Sequence, residues 1–308
     1  MSTARKADGD LEKGADPADD SNRVRGVGLD APRGVRRWVL LPIAVLSGIF
    51  FALPLIWIVV SAFRPERDIF RYLSPLDPRV LIPTDWSVAS FTALTDGPFP
   101  RAVFNSLLVA GVTVVGGLIV CAMAAYALAA IDFPGRQVVF TVVVLGFLVP
   151  FDAIAIPLGE LFLDWGLRNS YSALILPGIG NGLAVFALRQ FFLAIPKELS
   201  DAAKVDGAGP MTILFRIYLP LARPALVGAG LLLFVFQWQA YLWPLIVISD
   251  ANLQVGPVVL AQLQGQAEYG FDPGQIFAGT FILAVIPVVL LLRFQRHFVR
   301  SIAASGID

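Results

Sequence analysis

The stretch Ile195–Pro224, IPKELSDAAKVDGAGPMTILFRIYLPLARP, is a polar and charged segment between two long apolar runs. Residues 197–205 are mostly helix formers, and an acid in their first turn suits the positive end of a helix dipole. Gly207 falls where a helix would end in a left-handed residue, and Pro210 suits the first turn of a second helix. The stretch therefore predicts two short helices joined by a glycine turn.

The second of these helices is too apolar for a solvated linker, so we expect its surface to dock against another structure. Its apolar members are Met211, Ile213, Leu214, Phe215, Ile217, Tyr218 and Leu219. The rest of the chain is expected to be a membrane domain that holds this segment in place.

The composition indicates an integral membrane protein. Of the 308 residues, 57% are hydrophobic and 15% are charged, and the mean hydropathy is +0.74. A soluble domain is nearer a quarter charged. The 23 basic and 23 acidic residues cancel, so no overall field favours binding of nucleic acid.

Several kinds of site are excluded by residue counts. A single cysteine, Cys121, rules out an internal disulfide and a cysteine-built metal site, and a single histidine, His297, rules out histidine clusters. A Walker A loop needs a lysine after a glycine, and no lysine of this chain follows one. The four lysines are Lys6, Lys13, Lys197 and Lys204.

Six apolar runs are long enough to cross a bilayer. The first, Val39–Ser61, would extend roughly 35 Å as a helix. The others lie at about Val103–Ala130, Val138–Pro157, Tyr171–Leu193, Ala225–Ser249 and Ile276–Leu292. We therefore predict an all-α integral membrane protein with six transmembrane helices in residues 38–300. A disordered cytoplasmic tail at 1–37 and a short cytoplasmic tail at 301–308 are expected to flank this domain.

The distribution of basic residues predicts the orientation. The segment from Asp250 to Gln275 contains acids and no lysine or arginine, which is typical of an outer loop. Segment 64–101 is an exception, with five arginines balanced by five acids in a long, proline-rich loop. Positive charges at the other membrane ends place the stretch 195–224 and both termini in the cytoplasm. These charges are Arg136, Arg189, Lys197, Lys204, Arg216, Arg223, Arg293, Arg296 and Arg300.

Within the stretch, Asp201-Ala202-Ala203 is followed after two residues by Asp206-Gly207-Ala208 and after eight more by Ile217-x-Leu219-Pro220. This spacing resembles the EAA loop of the membrane subunits of bacterial ABC importers. In that family the loop is a cytoplasmic coupling helix that seats in a cleft of the ATPase subunit. Asp201 stands where the family has glutamate, which keeps the charge but shortens the side chain by one methylene. The coupling residues that the resemblance implies are Glu198, Asp201, Ala202, Ala203, Asp206, Gly207, Leu219 and Pro220.

Further patterns extend the resemblance over residues 39–302, to carbohydrate-importer permeases of the maltose type and their smaller, six-helix subunit. They are Asn105-Ser106-Leu107, Ala124-Ala125-Tyr126-Ala127-Leu128, Phe133-Pro134-Gly135-Arg136, 166–171, 243–247 and 295–300. The resemblance implies a non-catalytic permease of the inner membrane that imports a sugar or oligosaccharide and carries no cofactor. Its expected partners are a second permease, two ATPase subunits that bind ATP and Mg, an extracytoplasmic solute-binding protein and membrane lipid. A phosphorylated polyol or a phosphodiester is an alternative solute.

Polar side chains at membrane depth are the candidates for the solute path, because they are costly unless they face protein, water or substrate. Amides and carboxylates suit sugar hydroxyls, and aromatic faces suit sugar C–H surfaces. Hydrogen bonding between helices is the alternative role for the same residues. The candidates are Asp152, Asn181, Gln190, Gln237, Trp238, Gln239 and Tyr241.

Two other classes of function remain as alternatives. A self-sufficient secondary carrier needs an ion-coupling site and commonly shows internal repeats, and the sequence has neither paired buried acids nor a repeated half. A membrane-embedded enzyme needs catalytic groups, and no Gly-x-Ser-x-Gly elbow or paired intramembrane carboxylates occur.

Overall fold

The computed structural model describes residues 35–266 and 272–304, and every regular element within them is helical. This confirms the all-α prediction. Residues 1–34 and 305–308 of the two predicted tails lie outside the described residues. The α-helices are α1 Val35–Ala62, α2 Ala89–Thr95, α3 Phe99–Ala130, α4 Arg136–Leu148, α5 Phe151–Asp164, α6 Tyr171–Ile179, α7 Gly182–Leu193, α8 Lys197–Val205, α9 Pro210–Ile213, α10 Leu219–Leu221, α11 Arg223–Trp238, α12 Leu242–Val247, α13 Gly256–Gln266 and α14 Pro273–Ala304.

Four helical spans of the described chain are long and apolar enough to cross a membrane. Two further pairs of helices qualify if each bent pair counts as one span, which gives up to six. The four spans are Leu40–Ala62, Phe99–Ala130, Tyr171–Leu193 and Pro273–Phe294. Length and composition thus give four to six crossings, where the sequence predicted six.

The prediction of one helix over Val138–Pro157 is wrong. Helices α4 and α5 meet at an angle of 97°. The bend lies at Val149, whose backbone is extended with φ −72° and ψ 121°. The next residue is Pro150, and a residue before proline disfavours the helical region.

The prediction of one helix over Ala225–Ser249 is also wrong, because α11 ends at Trp238 and the short α12 follows. Pro244 explains the break: in a continuous helix its ring would clash with the carbonyl of Ala240. At its other end α11 meets the segment Pro210–Leu221 at 85°. The last helix, α14, is longer than the predicted run and continues to Ala304.

Helix α3 lies at the centre of the bundle and packs against α6, α7, α11 and α13. The largest buried cluster joins the second half of α3 to α7, to α11 and to the stretch 195–224. Its members include Ala125, Leu188, Ile213, Leu214 and Leu233. The charged stretch is therefore built into the membrane domain rather than suspended from it.

The chain divides into two units, Met1–Leu53 and Pro54–Asp308. In the first unit, the described side chains from Leu40 to Leu53 are nearly all exposed, and most are apolar. Such a surface is expected of a helix that faces hydrocarbon, where the backbone is satisfied internally and the side chains are apolar.

Candidate coupling surface and solute path

The turn after α8 is a Schellman motif. Gly207 has φ +80°. Its N–H donates to the carbonyl of Lys204 at 3.0 Å, and the N–H of Ala208 donates to the carbonyl of Ala203 at 2.9 Å. These two bonds satisfy the last carbonyls of α8 and require a left-handed residue at the turn. Helix α9 then begins at Pro210, so a short helix lies on each side of the glycine turn.

The second half of the stretch is anchored in the protein core. After α9 the chain continues as a π-helical turn over Leu214–Tyr218. Ile213, Leu214 and Tyr218 are buried in the cluster that includes α3 and α7. These three side chains therefore hold the stretch in place, and Ile213 and Leu214 take no part in a docking surface.

Other large apolar side chains of the stretch point outward. Val205 is 89% exposed, and Leu199, Met211 and Phe215 are each about half exposed. We call these four residues the exposed apolar set. Apolar side chains exposed between charged residues commonly mark an interaction surface.

The charged and small residues implied as coupling residues are mostly accessible. Glu198, Asp201, Ala202, Asp206, Gly207 and Pro220 are exposed, and Ala203 and Leu219 are partly buried. The carboxylate of Asp201 accepts a hydrogen bond from the Lys204 ammonium at 2.9 Å. This bond raises the pKa of Lys204. Both side chains remain more than half exposed, so the pair is open to a partner.

An aromatic cluster connects the stretch to two membrane helices. The ring of Tyr218 packs edge to face against Tyr126 of α3 at 4.9 Å and against Phe192 of α7 at 5.4 Å. Edge-to-face pairs at these distances are favourable and fix the relative orientation of the rings. The three rings therefore join the stretch to α3 and α7.

Arg189 makes a second connection at the same end of α7, and the sequence analysis used it only as an orientation charge. Its buried side chain donates from Nε to the carbonyl of Leu128 at 3.0 Å. Its guanidinium also lies 3.8 Å from the centre of the Phe140 ring. Arg189 thus joins α7 to the end of α3 and to α4, a role that charge counting does not reveal.

Three of the solute-path candidates make contacts within the protein. The side chain of Asn181 accepts from the N–H of Ala184 at 2.9 Å and caps α7. Gln237 donates to the carbonyl of Leu174 at 3.3 Å. Trp238 is 4% exposed, and its indole N–H donates to the carbonyl of Leu283 at 3.0 Å. These contacts give the three residues structural roles. The remaining candidates, Asp152, Gln190, Gln239 and Tyr241, are exposed.

A buried polar network lies near the N-terminal end of α3, away from the stretch 195–224. Asn105 donates from Nδ2 to the carbonyls of Asn252 and Gln254 at 2.9 and 2.8 Å. Its Oδ1 accepts from the Tyr171 hydroxyl at 2.9 Å. The neighbouring Ser106 hydroxyl accepts from the N–H of Gly256 at 2.9 Å. We call this network the polar clasp, because its hydrogen bonds fix segment 252–256 to α3 and α6.

No group of three or more His, Cys, Asp or Glu suited to a metal ion occurs in the described ranges. Residues 117–304 match the family described as "Binding-protein-dependent transport system inner membrane component". The chain belongs to this family. It is a multi-pass protein of the inner membrane, and the matched region contains the whole stretch 195–224.

Relatives in this family are similar over most of their length. The chain is 35% identical over 257 residues to the arabinooligosaccharides transport system permease protein AraQ of Halalkalibacterium halodurans, covering 82% of this chain and 90% of that protein. It is 31% identical over 282 residues to the sn-glycerol-3-phosphate transport system permease protein UgpE of Agrobacterium fabrum, covering 89% and 98%.

A solved structure shares the fold. The structure is that of a bacterial ABC transporter involved in the import of the acidic polysaccharide alginate. One of its chains matches with a TM-score of 0.71 and 23% identity, covering 85% of this chain and 96% of that chain. This likeness confirms the fold class.

Proposed function

We propose that this chain is a permease subunit of an ATP-driven importer for a sugar or oligosaccharide. It forms the solute path with a second permease and is coupled to ATPase subunits through residues 196–224. The observation that carries the proposal is the stretch itself. One side is anchored in the core through Tyr218, and the other presents exposed apolar and charged side chains beside a fixed glycine turn.

The relatives support an importer but differ in solute, since their names specify arabinooligosaccharides or sn-glycerol-3-phosphate. The exposed candidates of the solute path favour the sugar. Asp152, Gln190, Gln239 and Tyr241 offer a carboxylate, amides and a hydroxyl, and none of them is basic. A phosphate ester is best held by charge-assisted bonds from arginine or lysine. A phosphorylated polyol therefore remains the second candidate.

The coupling follows from rigid connections. ATP and Mg would bind to the ATPase subunits, and this chain supplies no cofactor of its own. When those subunits close on ATP, they would push the stretch, and the Tyr218 and Arg189 contacts would carry the displacement into α3, α4 and α7. Such rigid-body movement can open one end of a path while closing the other.

Copurification tests the proposal directly. From native membranes, this chain should bring down a second permease and an ATPase. The assembled complex should hydrolyse ATP faster when a loaded solute-binding protein is added. Transport by the purified chain alone, without any ATPase, would contradict the proposal. So would labelling of a cysteine placed at Asp206 by an impermeant reagent that reaches only the outer side.

Replacing Val205 by aspartate should weaken attachment of the ATPase. Val205 is almost fully exposed, so the change should leave folding intact while it places a charge in a desolvated contact. We expect stimulated ATP hydrolysis to fall about fivefold or more. A Val205→Leu variant, which keeps an apolar side chain, is the matched control. Equal activity of the two variants would show that Val205 does not contact the ATPase.

A further inference from the structure

A polar pocket lies between α8 and the turn that joins α3 to α4. It has a volume of about 270 Å³. We call it the inner pocket. Its charged and hydroxyl-bearing lining residues include Asp132, Arg136, Lys197, Asp201, Lys204 and Tyr218.

One face of α8 forms a wall of the inner pocket. Lys197, Ser200, Asp201 and Lys204 have the spacing i, i+3, i+4 and i+7, which places them on a single face of a helix. The Ser200 hydroxyl donates to the carbonyl of Lys197 at 2.8 Å, so this small polar residue is satisfied within α8. The charged groups of Lys197, Asp201 and Lys204 therefore face the pocket from this side.

The charges of the pocket do not balance. Asp132 pairs with Arg136 at 2.8 Å, and Asp201 pairs with Lys204 at 2.9 Å. Lys197 has no acidic partner within 4.0 Å among the residues that the structure describes, and its side chain is exposed. The pocket therefore holds one positive charge more than its acids neutralise. The buried ring of Tyr218 also lines it and carries a hydroxyl.

The mouth of the pocket opens to water rather than to hydrocarbon. The side chain of Asp132 is 96% exposed, and those of Asp201 and Lys204 are more than half exposed. An ionised carboxylate this exposed would be costly against lipid chains. The occupant should therefore come from the aqueous side. It should also be small and negatively charged.

We infer that the inner pocket receives an aspartate or glutamate side chain of the ATPase subunit, which pairs with Lys197. This inference rests on the function proposed above. The exposed apolar set would supply contact area, whereas the carboxylate in the pocket would fix the register of the ATPase along α8. Paired charges at an interface commonly set register and partner choice in this way.

Zero-length cross-linking tests the contact. A carbodiimide joins a lysine amine to a carboxylate only when the two groups touch, so the linked peptide identifies the partner residue. In the purified complex, resting or trapped with ATP and vanadate, Lys197 should link to an ATPase peptide. A Lys197→Arg variant should lose the link, because its guanidinium is not acylated, yet it should keep transport.

Charge reversal gives a functional readout. Lys197→Glu would place a third acid in the pocket, and like charges at an interface are strongly unfavourable. We expect stimulated ATP hydrolysis and transport to fall about tenfold. Lys197→Arg, which keeps the positive charge in the pocket, is the control and should have little effect.

The outcomes separate this inference from the proposed function. If an ATPase copurifies and is stimulated, but Lys197 links to no ATPase peptide in either state, the pocket assignment is wrong and the importer remains. The assignment is also wrong if Lys197→Glu loses activity only in nanodiscs that contain anionic lipid, because a headgroup would then be the occupant. If no ATPase copurifies at all, the proposed function itself is wrong.

Discussion

Replacing Gly207 by valine is expected to lower transport and the stimulation of ATP hydrolysis by the binding protein. Gly207 has φ +80°, and nothing lies within 4 Å of an added Cβ. The cost therefore comes from the backbone and not from crowding. The left-handed region costs an ordinary residue about 1–2 kcal/mol, and a β-branched residue is a marked outlier there. The turn would open, and α8 would lose its fixed direction relative to α9.

The matched control for this change is Gly209→Val. Gly209 lies two residues further on, also has open space around an added Cβ, and has ordinary extended backbone with φ −71° and ψ 164°. A residue before proline prefers this region, so valine should fit. Stimulated ATP hydrolysis of the two assembled complexes is the measurement. Normal stimulation of ATP hydrolysis in Gly207→Val would mean that the direction of α8 does not determine coupling to the ATPase.

The sequence predicted the features that depend on local chemistry. Gly207 and Pro210 mark the turn because helix ends need particular backbone angles, and those needs appear directly in the residue types. The crossings were found because a bilayer requires long apolar runs. The bend before Pro150 was missed because the apolar run continues through it, and hydropathy does not register a change of direction.

The missed features depend on partners far away in the chain. The indole of Trp238 bonds to the carbonyl of Leu283, so no local pattern distinguishes it from a solute contact. Tyr126 and Tyr218 each occur in a recognisable pattern, yet only the fold brings their rings together. From the sequence, Arg189 counts only as a positive charge. In the fold, its guanidinium lies over the Phe140 ring, and this contact joins α7 to α4.

Asn105 shows how a family pattern acquires a physical reason. The sequence identified Asn105-Ser106-Leu107 only as a resemblance. In the fold, the first two residues of the pattern form the polar clasp, in which Asn105 binds two backbone carbonyls and one hydroxyl. An asparagine side chain has both donors and acceptors, so one residue can satisfy all three groups.

Replacing Asn105 by leucine should therefore loosen the attachment of segment 252–256 to α3, because only the Ser106 bond of the clasp remains. Leucine has a similar size but no polar atom, so the carbonyls of Asn252 and Gln254 and the Tyr171 hydroxyl would lose their partner. Each buried group left unsatisfied costs about 1–3 kcal/mol. Hydrogen exchange at residues 252–256 should quicken, and the thermal midpoint of the detergent-solubilised complex should fall. Tyr171→Phe removes one of the three bonds and should show a smaller effect in both measurements. If Asn105→Leu changes neither exchange nor midpoint, the clasp does not hold this segment, and other contacts of α13 with α3 and α14 must do so.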